Sequence, residues 1–172
     1  PTGVRADLPG PDGRVSMREA CLVVNNMAGP QTSEFAIPQN QWWLLQNIAV
    51  LRLEDGPFLL TDDGTTIDFS SQEAFTGNTN PDGGEVGIYG LQPNGWGGPA
   101  ISIYAENCTI KGLDRVMQRG HGVWIARNNN RVIGCTISGP LYSGVFISGD
   151  FGGPPASGNV IGVSLKDGTF LP

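Results

Sequence analysis

Most of the chain alternates short apolar stretches with Gly, Asn, Asp and Pro, and apolar residues at helical spacing occur only near its start. Ser16-Met17-Arg18-Glu19 has the pattern of a capping box, in which the serine hydroxyl accepts from the Glu19 amide and the carboxylate reaches back to the Ser16 amide. Met17, Ala20, Cys21, Val24 and Met27 then recur at helical intervals until Gly29-Pro30, which predicts one amphipathic helix over about residues 17–28. The stretches Glu34 to Ile37, Ile48 to Leu53, Phe58 to Thr61, Thr66 to Phe69 and Glu85 to Tyr89 read as strands.

Beyond residue 100 the pattern becomes a repeat. Ala100 to Ala105, Gly122 to Arg127 and Gly144 to Gly149 superimpose at an offset of 22 residues, with Ile101, Val123 and Val145 at one position and Ile103, Ile125 and Ile147 at another. A second strand keeps step: Ile110 to Leu113 stands 22 residues before Val132 to Cys135, which stands 28 before Val160 to Val163. The excess falls to a Gly/Pro-rich insertion, Phe151 to Ser157, and Ile88-Tyr89-Gly90 extends the series 22 residues back from Ile110. Units of this length, with two or three short strands and Gly or Asn at the corners, predict an all-β fold. The expected architecture is a right-handed parallel β-helix in one domain, with residues 1–32 as an N-terminal cap and 33–172 as coils. In-register Ile and Val would form its core, with coils about 4.8 Å apart. The segment from Asn159 to Pro172 shows no second capping helix, so self-association through an uncapped C-terminal coil is one expectation.

Composition agrees. The 172 residues include 26 Gly and 13 Pro, too many for a helix bundle, while 39% hydrophobic residues exceed what a disordered tail carries. A net charge of -6 argues against nucleic acid as the main partner, and no apolar run approaches the ~20 residues of a membrane-spanning helix. The three cysteines, Cys21, Cys108 and Cys135, form no CxxC pair, and His121 is the single histidine, so a zinc site is not expected and buried small apolar side chains are. The chain starts at Pro1 without Met and shows no signal-peptide pattern, which reads as a processed or cut chain.

Ser16-Met17-Arg18-Glu19-Ala20, followed by Asn25-Asn26 and Gly29, resembles the opening of the bacterial "CSLREA" surface and secreted proteins with right-handed β-helix repeats. Phe35-Ala36-Ile37-Pro38, Leu60-Thr61-Asp62, Thr65 to Asp68, Cys108 to Leu113, the corner Asn128 to Arg131 and Gly158 to Gly162 match in the same order. The resemblance implies a secreted or cell-surface location and a pectate-lyase-like fold, whose members include adhesin-like modules as well as polysaccharide lyases and hydrolases. It transfers no catalytic set. Two positions depart from the family pattern: Phe69, where Gly is usual, and Arg115, where an inward apolar residue is common and a local bulge is the preferred reading.

Two features point to a ligand. Residues 111–131 carry Lys111, Arg115, Arg119, Arg127 and Arg131 against Asp114 alone, a band that suits an acidic polysaccharide or, equally, a solvated surface. With Ile101, Val123 and Val145 inward, Ser102, Trp124 and Phe146 face out, so the two rings would lie side by side as a sugar-stacking platform unless the Asn94 to Pro99 loop with Trp96, or the Phe151 insertion, folds over them. The expectation is a non-catalytic module that binds polysaccharide or forms a surface scaffold, with Trp124, Phe146, Arg127 and Arg131 as ligand-binding residues. A polysaccharide lyase or glycoside hydrolase is the alternative, for which Asp114, His121 and Arg119 are the candidate residues; Asp150 is placed on a different corner from Asp114. His121, in Gly120-His121-Gly122, is more simply a structural residue of a strand-entry turn. No cofactor is expected, although calcium could sit at Asp62-Asp63-Gly64 or Glu54-Asp55-Gly56, which are also ordinary turn chemistry.

Overall fold

The structure is a computed structural model and describes residues 8–9, 11–42, 47–90, 97–149, 155–164 and 170–171. It is mostly β, with strands in three parallel sheets and few helices. In chain order these are α1 (Met17–Val24), β1 (Thr32–Glu34), a 3-10 turn (Gln39–Gln41), β2 (Ala49–Arg52), β3 (Phe58–Leu60), β4 (Thr66–Asp68), α2 (Ser71–Thr76) and β5 (Val86–Tyr89). Then come β6 (Ile101–Ile103), β7 (Thr109–Lys111), β8 (Leu113–Met117), β9 (Val123–Ile125), β10 (Arg131–Ile133), β11 (Val145–Ile147), β12 (Val160–Ser164) and β13 (Phe170–Leu171). Consecutive strands from β1 to β10 fall into the sheets in rotation: β1, β4, β7, β10 and β12 in the first, β2, β5 and β8 in the second, β3, β6, β9 and β11 in the third. β13 closes the first sheet as its antiparallel edge.

The inward side chains stack in register. Phe58, Ile101, Val123 and Val145 form one row, Leu60, Ile103, Ile125 and Ile147 the next, and Ile67, Ile110, Val132 and Ile161 a third. Each fully buried Ile or Leu contributes about 1.5–3 kcal/mol relative to exposure. Ile103 and Ile125 are fully buried, but Ile147, which stacks on Ile125 as expected, is exposed because it lies on the outer strand of its sheet.

The 22-residue offset holds from β6 to β9 to β11 and from β7 to β10, but not outside that span. Arg131 pairs with Val160 and Val132 with Ile161, an offset of 29 (131 to 160) rather than 28. The corner fixes this register. Gly64, Asn107, Asn129 and Gly158 all take positive φ (76°, 58°, 57° and 68°), a conformation open only to Gly and tolerated by Asn. Their amides or their neighbours' carbonyls bond in sequence, Gly64 N–H to Glu106 O, Asn107 N–H to Asn128 O and Asn129 N–H to Ser157 O. Ile88 pairs with Val116 and not with Ile110, whose earlier neighbour is Ile67; the Ile-x-Gly match at Ile88 was fortuitous, since Ile88 lies on β5 of the second sheet and Ile110 on β7 of the first.

Three further differences have local causes. Helix α1 stops at Val24 instead of continuing to residue 28, because Asn25 turns its amide side chain onto β3 while its own N–H bonds the Cys21 carbonyl and the Asn26 N–H the Val23 carbonyl in a tightened last turn. The first strand ends at Glu34; the Phe35 and Ile37 amides donate instead to Ser71 Oγ (2.7 Å) and Gln72 Oε1 (2.8 Å) on the unanticipated helix α2. Strand β8 was not expected at all. In it Leu113, Asp114 and Val116 are buried and Arg115 is exposed, with the register to β5 shifting between Val86 and Ile88, so Arg115 does sit at a bulge. Phe69 is fully buried and stacks on Phe35 with centroids 4.6 Å apart, which accounts for a large side chain at that position.

Candidate functional site

Trp124 and Phe146 are adjacent register partners on the outer face of the third sheet, as the repeat predicts. They do not form a flat pair: their centroids are 6.3 Å apart and their planes meet at 52°. Trp124 is half-buried, its Nε1 donates to Ser148 Oγ (2.9 Å), and Tyr104 meets it edge-on at 5.5 Å. Ser102, the next position along this row, is buried despite facing out, so the outer face is covered at β6 and opens towards β11.

On the open side Phe146 stacks face to face on His121, with centroids 4.5 Å apart and 11° between planes, and His121 meets Tyr142 at 5.6 Å. The result is a continuous run of five rings, Tyr104–Trp124–Phe146–His121–Tyr142, reaching from a half-buried end to the exposed Tyr142. The glycines beside His121 permit this placement. A Cβ on Gly122 would lie 2.5 Å from the Gly144 carbonyl oxygen, and one on Gly120 would lie 2.2 Å from that of Gly98. The close backbone approach brings the turns before β9 and β11 together, and Gly122 N–H bonds Ser143 O (2.9 Å) while Tyr142 N–H bonds Gly120 O (3.3 Å). His121 therefore belongs with the aromatic face, a role the sequence reading gave to Trp124 and Phe146 alone. Tyr104 and Tyr142 were missed: Tyr104 lies within the aligned repeat but meets Trp124 edge-on from the end of β6, and Tyr142 lies outside the repeat and is brought in by pairing between turns.

The cations are dispersed. Arg127 is half-buried in the turn directly after β9, and Arg131 is exposed at the first position of β10, on the neighbouring sheet. Lys111 lies on the same sheet as Arg131 and is paired with Asp68 at 2.8 Å. Burial opposes ionisation of Asp68, but the hydrogen bonds and charge of Lys111 and Ser70 outweigh it and hold the carboxyl below its ordinary range. Arg115 is on the second sheet and Arg119 in the exposed turn leading to His121.

The candidate catalytic residues do not share one surface. Asp114 is buried on the second sheet, where Asn80 Nδ2 donates to it at 3.3 Å, and burial, with the nearby charge of Glu85, raises its pKa despite hydrogen bonds from the Arg115 and Gly84 amides. Glu85 is itself fully buried, bonds the Thr79 hydroxyl and accepts from the Thr79 and Asn80 amides (2.9 and 3.1 Å), a role that tethers the loop before β5. Nothing in the spacing of Glu85 signals this. His121 Nδ1 is buried and has no hydrogen-bond partner. Asp150, Trp96 and Phe151 to Pro154 lie outside the described residues.

At the acidic turns, Asp63 Oδ1 accepts from the Glu106 amide (2.7 Å) and Glu54 pairs with Arg52 at 3.4 Å. Among the described residues no group of three or more His, Cys, Asp or Glu side chains is arranged to hold a metal ion. The three cysteines are free and buried, and burial pushes the Cys21 thiol up to about 12 and those of Cys108 and Cys135 to about 11, so they act as packing groups. No family model, curated protein or solved structure matches the chain.

Proposed function

We propose that the three sheets are the faces of one right-handed parallel β-helix, akin to the CSLREA-type surface and secreted proteins, and that the module binds polysaccharide without cleaving it. The rotation of successive strands through three sheets and the stacked positive-φ corner support the solenoid. The observation that carries the binding reading is the run of rings from Trp124 through Phe146 and His121 to Tyr142. Sugar rings present apolar C–H faces, and a string of partly exposed aromatic faces can hold several consecutive residues of a chain. Arg127, in the turn beside Trp124, is the nearer polar anchor in sequence and fold; Arg131, one sheet further round, serves a longer or acidic glycan.

The enzymatic alternative, a lyase or hydrolase, has less behind it: Asp114 is buried on another sheet, and His121 is committed to stacking. A panel of neutral and acidic polysaccharides, assayed at once for binding and for release of unsaturated or reducing ends, separates the two readings. Binding without release is expected. Trp124→Ala should lower affinity at least tenfold at any ionic strength, whereas Arg127→Ala with Arg131→Ala should matter chiefly at low salt and for acidic glycans. Release of oligosaccharides that disappears in Asp114→Asn or His121→Ala would replace the binding reading with the enzymatic one.

A further inference from the structure

The loop before β5 is held down by two buried carboxyl groups. Glu85 is fully buried and Asp114 is 3% exposed, and among the described residues neither is ion-paired with Lys, Arg or His. Asp114 meets donors only: Asn80 Nδ2 at 3.3 Å and the Gly84 and Arg115 amides. Glu85 Oε1 likewise accepts from the Thr79 and Asn80 amides. Glu85 Oε2 differs, because its partner, the Thr79 hydroxyl, also lies 2.6 Å from the Asn47 carbonyl oxygen. A hydroxyl has one proton, and a carbonyl oxygen can only accept. Two oxygens 2.6 Å apart with no proton between them would repel, so the Thr79 proton belongs to the Asn47 contact. The bond between Thr79 and Glu85 then needs a proton from Glu85.

We infer that Glu85 is a neutral carboxylic acid whose Oε2–H donates to Thr79 Oγ1, and that this proton is a pH-sensitive latch on loop 77–84. The chain of bonds runs from Glu85 Oε2–H to Thr79 Oγ1 and from the Thr79 O–H to Asn47 O, tying the loop to the segment that enters β2. Asp114 carries the charge of the pair, since every group bonded to it donates and the charge of Arg115 favours its ionised form. An ionised Glu85 would oppose that charge, and a neutral one removes the opposition. The other titratable groups on this side are acidic: Glu73 of α2 and Asp82 of the loop line one cavity with Glu85. Residues 43–46, outside the described set, bring no titratable side chain. As pH rises, loss of the Glu85 proton removes the donor to Thr79 and leaves two like charges in one buried site. The folded chain thus keeps a proton that the unfolded chain has already released, so the stability conferred by the latch is full in acid and falls with rising pH.

Urea unfolding of the wild type and of Glu85→Gln, from about pH 4 to about pH 9, tests this. Glutamine keeps an acceptor for the two amides and a donor for Thr79 but cannot ionise. The folding equilibrium constant of the wild type, divided by that of the variant, should fall at least tenfold across the range. The sign of the slope decides, whatever the offset between the two proteins. An ionised Glu85 held by three donors would bind fewer protons folded than unfolded, and the ratio would rise from the acid end and then level. A ratio that rises or stays flat overturns the inference. Hydrogen exchange at the Thr79 and Asn80 amides reads the latch itself and needs no variant to fold. Their protection in the wild type, corrected for the intrinsic pH dependence of exchange, should fall at least tenfold over the same range; constant protection would equally overturn the inference. Neither measurement involves the ring face, so the latch and polysaccharide binding are read independently.

Discussion

At one edge of the third sheet the carboxamide of Asn25 replaces a missing strand, donating to Leu59 and accepting from Thr61, while Met17, Cys21 and Val24 on α1 join the core below it. At the other edge Val145–Ile147 continues the same inward rows but ends them in solvent. Both edges are three-residue apolar strands, Phe58–Leu60 and Val145–Ile147. What separates them is one amphipathic helix with a defined start: Ser16 and Glu19 form both halves of the capping box, with Glu19 N–H to Ser16 Oγ at 3.2 Å and Ser16 N–H to Glu19 Oε2 at 2.8 Å. The comparison teaches that a repeated strand specifies stacking but not its termination, which needs a residue of different chemistry at each end.

The largest effect should come from truncating equivalent rows at the two depths. Ile103→Ala removes a fully buried side chain and should cost about 3–4 kcal/mol, while Ile147→Ala, already exposed, should cost under about 1 kcal/mol in the monomer. Denaturant melts at low protein concentration measure both, and equal losses would mean that the outer strand is covered after all. Next, Asn25→Ala leaves the Leu59 carbonyl and Thr61 amide without their partner and should cost about 1–2 kcal/mol. Smallest is Ser16→Ala, at about 1 kcal/mol, from loss of the hydroxyl that accepts the Glu19 amide. An unchanged melting temperature would mean that the helix gains its stability from packing against β3 alone.

Much of this was legible in the residues. The capping box, the strand positions between Ile48 and Tyr89, the 22-residue register from β6 to β11 and the inward rows of Ile and Val are local patterns, and local pattern is what hydrophobic periodicity and turn chemistry report. Trp124 beside Phe146 followed from the same register. The flat platform did not, because ring tilt is set by Ser148 and Tyr104, which approach from neighbouring strand ends. His121 was read as a turn residue, which its backbone is, yet its ring became part of the aromatic face only because Gly120 and Gly122 let two turns close to within backbone contact.

The sequence alone thus determined how β6, β9 and β11 and how β7 and β10 stack and which side of these strands turns inward, since a period of two and a fixed repeat leave no other way to bury Ile and Val. Tertiary structure decided what no single segment encodes: the 29-residue register at Val160, the pairing of β8 with β5, the burial of Asp114 and Glu85, and the exposure of Ile147 beside the burial of Ile125. Each of these depends on which strand, loop or helix lies next to the residue in space, and neighbours far apart in sequence leave no mark on the local pattern of the chain.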